Sequence, residues 1–334
     1  MTEAVTPLPP SSTSQRSAGA AARAVVRDRP MVPLVFLLLL LIVISEVARP
    51  GTVDPGWAGI ILRTAVPLAI MAGCQTLTML TGGIDLSVGA VASMSGFVVA
   101  TLVGGPGLEI GILATLVVAA MVGLATGIGV GVFRVHPLIM TLAMSLVVFG
   151  FANVWQLQMV QTGSGVPDQF RGLGAGLLAR VIPHSLVLFI PIALVIMLGL
   201  RRTGYGQMLY AIGDNPVAAR LSGAKSWQIL VVLYVLSALM AAVAGFLLSG
   251  ASNVASVTLA NSLVLPSVAA AVIGGTSILG GRGGYGGTIV GALILTVVSS
   301  LLTSLGFKEA DRLILFGAII VLVAAAYTRV TSDS

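Results

Sequence analysis

The polar stretch at residues 201–227 reads RRTGYGQMLYAIGDNPVAARLSGAKSW. It is the longest interruption expected to face the cytoplasm in an otherwise apolar chain. Within it, Asp214 and Asn215 can cap the first amides of a helix, and Pro216 suits the first helical position. Gly223 offers the left-handed residue that often ends a helix. The stretch therefore predicts a short helix at Asp214–Ser222 on a loop between two membrane spans.

One side of this short helix is apolar, because it carries Val217, Ala218 and Leu221. An apolar side on a membrane loop suits the docking of a soluble partner. A solvated loop with turn-forming residues explains the same letters, so the residues alone leave both interpretations open.

The composition is that of a polytopic membrane protein. The chain has 334 residues, of which 57% are hydrophobic and only 8% are charged, whereas soluble domains carry about 25% charged residues. The net charge is +6, but the basic residues lie at the ends of the spans, which membrane topology explains better than nucleic-acid binding. Cys74 is the single cysteine, so no disulfide framework or cysteine metal site is expected.

The apolar runs predict an all-α membrane protein with about ten transmembrane helices, since about 20 apolar residues cross a bilayer. The predicted spans are 32–48, 57–80, 88–104, 108–132, 138–158, 183–200, 228–249, 263–280, 286–305 and 313–328. Residues 1–30 are predicted to be a disordered cytosolic tail, and residues 31–330 a transmembrane domain with a cytoplasmic loop at 201–227. Placing both termini in the cytoplasm puts most arginines and lysines on the inner side.

Glycine patterns suggest close helix packing and a weak internal repeat. Glycines recur at a spacing of four, at 123, 127 and 131 and again at 283, 287 and 291, a spacing that lets helix backbones approach closely. The segment Gly82–Gly89 also resembles Gly274–Gly281, and each follows one apolar run and precedes another. Such paired interruptions are typical of transporter repeats, although chance explains so short a match equally well.

The motifs of nucleotide and metal chemistry are missing. Neither Lys225 nor Lys308 follows the glycine pattern of a phosphate loop. Residues 281–286 match G-x-G-x-x-G, but they follow a membrane span and not a strand, so a tight turn is the better interpretation. His136 and His184 are distant and have no matching acidic residues. We expect no catalytic site, no cofactor and no metal.

Asp85 is the most informative charge, because it lies in a glycine-flanked break between two spans. An acidic group at membrane depth is by default a functional hypothesis. The alternative is structural, with Asp85 and Ser87 capping the helix that begins near Val88. Neutral polar residues that could line a path for an uncharged solute are Ser93, Ser95, Thr141, Ser145, Asn153, Gln156 and Asn261.

Three motifs in order carry a family resemblance. They are LTGGIDLSVGAVASMSG at Leu80–Gly96, TGYGQMLYAIGDNPVAARLSGAKSW at Thr203–Trp227 and AAAVIGGTSILGGRGGYGGTIVGALI at Ala269–Ile294. Together they resemble the ribose/xylose/galactoside-type permeases of ABC importers, and the likeness covers nearly the whole chain after the tail.

The resemblance implies a permease subunit of the bacterial inner membrane that pairs with a second copy of itself. A cytoplasmic ABC ATPase, with two nucleotide-binding domains typically fused in one chain, would drive it, and an extracytoplasmic solute-binding protein would deliver the solute. The expected solute is a small neutral sugar or polyol. Related permeases carry autoinducer-2, nucleosides or branched-chain amino acids, which stay alternatives. Membrane lipid surrounds the chain, and no nucleic acid is expected as a partner.

The resemblance also assigns candidate residues. The coupling loop for the ATPase falls on Gly204–Gly223. Its candidate residues are Gly204, Tyr210, Gly213, Asp214, Asn215, Pro216, Ala218, Ala219, Arg220 and Gly223. Candidates for the translocation path or the repeat are Gly82, Gly83, Asp85, Ser87, Asn153, Gly274, Gly275 and Thr276.

Rival functions come from other classes. An ion-coupled secondary transporter would use Asp85 and would work without an ATPase. A passive facilitator would need no energy source, and a membrane enzyme would need a nucleophile and base that the sequence does not present.

Overall fold

A computed structural model describes residues 31–102, 107–159 and 165–332. These residues are almost entirely helical. The helices are α1 (Met31–Ala48), α2 (Pro55–Leu80), α3 (Val88–Leu102), α4 (Leu108–Gly131), α5 (Pro137–Met159), α6 (Asp168–Ala175), α7 (Leu186–Arg202), α8 (Gly204–Asp214), α9 (Pro216–Leu221), α10 (Ser226–Ser252), α11 (Val264–Ile273), α12 (Tyr285–Ser304) and α13 (Glu309–Ser332). The predicted tail at 1–30 lies outside the described residues.

The architecture is that of an all-α polytopic membrane protein. Within the described ranges, 6 helices are long and apolar enough to cross a bilayer, namely α1, α2, α4, α5, α10 and α12. The pair α7 and α8, bent by 69° at a short break, would make a seventh. Two further predicted spans, 88–104 and 263–280, correspond to shorter apolar helices. The count of about ten spans and the side of the termini therefore stay predictions.

The predicted span 263–280 is wrong at its end. A 3-10 turn at Asn261–Leu263 leads into α11, which stops at Ile273, and turns follow up to the start of α12. The helix ends there because Gly275 takes a left-handed backbone, with φ of +89°, a conformation that glycine adopts at little cost.

Two long helices, α2 and α10, form the centre of the bundle. Helix α10 packs against α2, α3, α4 and α6, while α2 also packs against α11 and α12. Every residue of α2 from Ala65 to Leu80 is buried, so this helix is surrounded by protein along most of its length. Helix α1 packs on α12, and α13 packs on α11.

The predicted close packing through glycines is confirmed for both stripes. A Cβ atom added at Gly127 would lie 2.6 Å from the Cα of Val231, and one at Gly131 would lie 2.9 Å from the Trp227 carbonyl oxygen. In the second stripe, a side chain at Gly291 would collide with the Ala270 carbonyl of α11, and one at Gly287 would collide with the Gly274 carbonyl just after α11. Gly283 lies before α12 begins. Glycine therefore allows α4 to meet α10, and α12 to meet α11, with backbones nearly in contact.

The two ends of the bundle are built differently. Helix α2 ends and α10 begins near α8 and α9, since Tyr205 in α8 donates a hydrogen bond to the Ile229 carbonyl at 3.2 Å. At the other end, α6 and a small hairpin, Leu177–Leu178 paired with Ile182–Pro183, cover the bundle. We call these the coupling end and the outer end, after the predicted topology.

Residues 165–183, the described part of a glycine-rich segment, pack on the bundle. Phe170 of α6 stacks on Phe246 of α10 with ring centroids 4.9 Å apart. A side chain at Gly174 would collide with the backbone of α10 near Leu247. Gly174 therefore serves close approach, whereas a Cβ added at Gly172 would meet no atom within 4 Å.

Candidate coupling site

Helix α9 forms much as the polar stretch predicts. The side chain of Asn215 accepts hydrogen bonds from the backbone N–H groups of Val217 and Ala218, both at 3.0 Å, and Pro216 occupies the first turn. At the other end, Gly223 has a φ of +86°. The backbone N–H of Ala224 then reaches the Ala219 carbonyl at 3.2 Å, which closes the helix in the way typical of a glycine stop.

The predicted cap at Asp214 is wrong. Asp214 is the last residue of α8, and Asn215 alone is the residue between the two helices. The helix therefore spans Pro216–Leu221 and not Asp214–Ser222. The physical reason is that α8, which the sequence analysis took for loop, extends through Asp214 and ends only where Pro216 follows: the residue before a proline is disfavoured in helical conformation.

Most of α9 faces outward. Val217 is 55% exposed and Leu221 is 84% exposed, while Ala219 is buried against the body of the protein. Arg220 lines a pocket of about 540 Å³ together with Arg134 and Lys225. Among the described residues that line this pocket, none is acidic. The exposed surface of α9 thus combines apolar side chains with positive charge.

Helix α8 connects α9 to the membrane helices. Thr203 starts it, accepting a hydrogen bond from the backbone N–H of Gly206 at 3.2 Å and donating one to the Gly199 carbonyl at 2.6 Å. Leu209 and Ile212 are buried on its inner side. Tyr210 donates a hydrogen bond from its hydroxyl to the Gly283 carbonyl at 2.9 Å. The helix is therefore fixed to the body at several points before α9 begins.

Gly213 lies where three distant parts of the chain meet. A side chain at this position would collide with the Leu80 carbonyl at the end of α2, and its Cβ would lie 2.5 Å from the Gly281 nitrogen. Gly281 in turn donates its N–H to the Leu80 carbonyl at 3.0 Å. The end of α8 therefore touches the last residue of α2, just before the first of the two similar glycine segments, and the last residue of the second segment.

The two glycine segments end their helices with the same hydrogen bonds. After α2, the N–H of Gly83 reaches the Thr78 carbonyl at 3.0 Å, and after α11 the N–H of Thr276 reaches the Ala271 carbonyl at 2.9 Å. Gly82 and Gly275 have φ values of +78° and +89°. This pattern is a glycine C-cap.

This geometry corrects the register of the proposed repeat by one residue. Gly82 is equivalent to Gly275 and not to Gly274, because Gly82 and Gly275 are the residues with a left-handed backbone that end the two helices. Gly274 is instead the last residue before the turn, and a side chain there would collide with the start of α12. The likeness is confirmed for these turns only.

Asp85 is buried, with 2% of its surface exposed, and both of its carboxylate oxygens accept hydrogen bonds. Oδ1 accepts from the Ser87 backbone N–H at 3.0 Å and from the Ser87 hydroxyl at 2.6 Å. Oδ2 accepts from the Ser237 hydroxyl of α10 at 2.7 Å. Asp85 therefore fixes the start of α3 to α10. The Ser87 hydroxyl donates its hydrogen bond to Asp85. Among the contacts that the structure describes, it accepts none from a backbone N–H of α3.

Gln75 and Ser237 complete this cluster, and the sequence analysis missed both. The Gln75 side chain donates to the Asp85 carbonyl at 2.8 Å and accepts from the Asp85 N–H at 3.2 Å, so it holds the backbone of the break. Their signal was available, because a fully buried amide or hydroxyl inside an apolar span needs a partner. The sequence could not say which partner.

Two residues assigned from the sequence stand apart from this site. Asn153 on α5 bonds only the Phe149 carbonyl of its own helix, at 2.7 Å, among its described contacts. Gly204 begins α8, and a side chain there would meet no atom within 4 Å. Ser93, Ser95 and Thr141, considered for a solute path, are buried and bonded within the protein.

Comparison with known families gives an independent result. Residues 58–324 match the family model described as "Branched-chain amino acid transport system / permease component". The match includes α2, α8, α9 and both glycine turns. No solved structure matches the chain.

Several characterised proteins are similar over most of their length. The ribose import permease proteins of Bacillus subtilis and Escherichia coli are 33% and 34% identical to the chain, over 87% and 86% of it and 90% of each relative. The fructose import permease protein of Rhizobium meliloti is 30% identical over 88% of the chain and 84% of its own length.

Proposed function

The chain belongs to the family of permease components of branched-chain amino acid transport systems, and from this membership we propose that it is the membrane-spanning subunit of an ABC importer for a neutral sugar or polyol. The relatives named as ribose and fructose import permeases support this solute class, because ribose is a pentose and fructose is a hexose. The protein would reside in the bacterial inner membrane as a multi-pass subunit.

The contact of Gly213 with Leu80 and Gly281 is the observation that carries the mechanism. A partner that pushes on α9 moves α8, because the two helices are joined by Asn215 alone. The end of α8 then bears on the turn after α2 and on the turn before α12. These turns interrupt the helices of the bundle, so a small shift there changes which side of a central path is open.

The surface of α9 supports an ATPase as the partner. Its exposed apolar residues suit a hydrophobic groove, and the pocket with Arg134, Arg220 and Lys225 suits an acidic rim. ATP hydrolysis would occur in that partner, which we expect to carry two nucleotide-binding domains fused in one chain. The present chain would be a transport subunit and not an enzyme. A second copy of the chain and an extracytoplasmic solute-binding protein would complete the importer.

Reconstitution tests the proposal. The chain is placed in liposomes with and without its ATPase and binding protein, and uptake of ribose is measured. We expect ATP-dependent accumulation only in the complete system. Accumulation of ribose against its gradient by the chain alone would contradict the proposal.

A charge reversal tests the docking surface in the same assay. Arg220→Glu should lower solute-stimulated ATPase activity by about tenfold or more, since like charges facing each other at an interface cost several kcal/mol. Lys308→Glu is the control, because Lys308 is also exposed but follows α12 at the outer end. Equal activity of the two variants would count against docking through α9.

An ion-coupled transporter is the second candidate function, because Asp85 is a buried acid at a helix break. Its three hydrogen-bond donors favour a fixed structural role. Substitution of Asp85 by asparagine separates the two roles, because asparagine keeps a hydrogen-bonding side chain but cannot titrate.

A further inference from the structure

A pocket lined with hydroxyl groups opens at the outer end of the bundle. It has a volume of about 640 Å³ and lies between α2, the 3-10 turn, α11, α12 and α13. Its hydroxyl-bearing residues include Thr64, Ser262, Thr296, Ser299, Ser300 and Thr303. This size is within the range of small-molecule sites, and the pocket is distinct from the coupling site.

The hydroxyls of α12 share one face of the helix. Counted from Thr296, the other hydroxyl-bearing residues follow three, four and seven positions later, at Ser299, Ser300 and Thr303. This spacing places side chains on one face of a helix. In a helix that is otherwise apolar, such a face is costly against lipid hydrocarbon. It is expected where a helix borders a polar cavity, which is where the structure has it.

These hydroxyls are prepared to accept hydrogen bonds. Thr64 donates to the Ile60 carbonyl at 2.8 Å, Thr296 to the Ala292 carbonyl at 2.8 Å and Thr303 to the Ser299 carbonyl at 2.7 Å. The single hydrogen of each of these three hydroxyls is used within its own helix, so the oxygen can only accept further hydrogen bonds. The Thr303 oxygen already accepts one, from Arg312. The complementary ligand therefore presents several hydroxyl donors.

Arginine side chains supply hydrogen-bond donors to the same pocket. Arg312 is held by a hydrogen bond from its Nη1 to the Thr303 hydroxyl at 3.2 Å and by an ion pair with Glu309. Its Nε is buried and has no partner within the part of the chain that the structure describes. A buried N–H donor of this kind is expected to be satisfied by a ligand or by water. Arg49 lines the same pocket.

We propose that this pocket is a binding station for a neutral, polyhydroxylated solute on its way into the bundle. The proposal rests on the proposed function, which it deepens by placing a site for the solute within this chain. Neutral solutes fit because Glu309 compensates the charge of Arg312, while Arg49, the second arginine of the lining, is exposed and can keep its charge in water. A zwitterionic amino acid would need a free carboxylate for its ammonium group, and Glu309 is occupied.

Cysteine protection tests the site directly. The single native cysteine, Cys74, is fully buried, so Ser299→Cys places one reactive thiol in the pocket of the full chain in lipid nanodiscs. The rate of its modification by a charged methanethiosulfonate reagent is measured with ribose, with leucine and with neither. We expect ribose at twice its dissociation constant to slow modification by about threefold, as simple occupancy requires, and leucine to have no effect.

Ser252→Cys is the matched control. Ser252 ends α10 at the outer end and is exposed, and it is not among the residues lining the pocket. Its modification should be indifferent to both solutes. Arg312→Lys should reduce the protection of Ser299→Cys by ribose, because lysine has no counterpart of Nε.

The outcomes separate this inference from the proposed function. Ribose uptake by the complete importer without protection of Ser299→Cys at saturating ribose would overturn the pocket and leave the importer standing. Protection by leucine and not by ribose would overturn the assignment to polyhydroxylated solutes. Protection of Ser299→Cys by ribose alone, with Ser252→Cys unaffected, supports the inference even if the importer's energy source proves different.

Discussion

At the scale of single residues, the neighbours Asp214 and Asn215 are nearly equal in size but have different roles. Asn215 caps α9 through two hydrogen bonds at 3.0 Å, whereas Asp214 only ends α8. Loss of a capping side chain costs about 1 kcal/mol, or about fivefold in the equilibrium constant between the folded and the frayed helix.

We therefore expect Asn215→Ala to reduce solute-stimulated ATPase activity of the reconstituted importer by about fivefold, with no change in the melting temperature of the chain. Asp214→Ala is the control and should leave the activity within error of the native chain. Loss of activity in the Asp214 variant alone would show that its charge, and not the cap, governs docking.

Asp85 separates the two candidate functions at the same scale. Its carboxylate accepts from three buried donors, and asparagine can retain the Oδ1 acceptor while the Ser237 hydroxyl turns to accept. Asp85→Asn should therefore fold and should keep most of its ATP-driven uptake. A proton-coupled transporter would lose its uptake entirely, since asparagine cannot titrate.

Asp85→Ala has a different expected effect. It leaves the Ser87 N–H and two hydroxyls without their acceptor, at about 1–3 kcal/mol for each buried group that stays unsatisfied. We expect a clear drop in melting temperature in detergent. A melting temperature equal to that of the native chain would mean that water reaches Asp85 and that the cluster is not structural.

Helix α8 is the decisive part at the scale of the element, because its end packs on two turns. Gly213→Ala places a methyl group against the Leu80 carbonyl, and overpacking of this kind costs about 1–3 kcal/mol. Relief requires α8 to withdraw from the turns. We expect uptake to fall while ATPase activity without solute persists, as measured in the same liposomes.

Gly204→Ala is its matched control at the other end of α8. No atom lies within 4 Å of the added Cβ, so normal uptake is expected, although the family resemblance placed Gly204 in the coupling loop. If both alanine variants behaved alike, the close contact at Gly213 would not be the link between α9 and the bundle.

The glycine stripe of α4 makes a second prediction for an element. Gly127→Ala brings a Cβ to 2.6 Å from the Cα of Val231 and should lower the melting temperature, because neither backbone can yield without moving a central helix. Gly150→Ala on α5 meets no atom within 4 Å and should be neutral or slightly stabilising.

The predicted orientation of the whole molecule can be tested at its two ends. The coupling end carries α9, and the outer end carries α6 and the hairpin. With the chain in intact cells, Leu221→Cys should react with a thiol reagent only after the membrane is made permeable, because Leu221 is 84% exposed at the coupling end. Ser252→Cys should react without that treatment. The reverse result would invert the predicted topology and remove the basis for cytoplasmic docking.

The sequence by itself determined the class of the protein and the local signals. Apolar runs identified most of the helices, because the bilayer sets their length and composition. The cap at Asn215 and the stop at Gly223 were also readable, since both depend on neighbouring residues alone. The coupling helix was thereby found to within two residues at its start.

Only the tertiary structure decided which distant residues meet. Gly213, Leu80 and Gly281 are far apart in the chain, and no local pattern states that they touch. The same holds for Ser237 beside Asp85 and for the hydroxyl face of α12 beside Arg312. The physical reason is that helix formation is governed by interactions within a few residues, whereas a site is made by packing, and packing depends on every helix of the bundle at once.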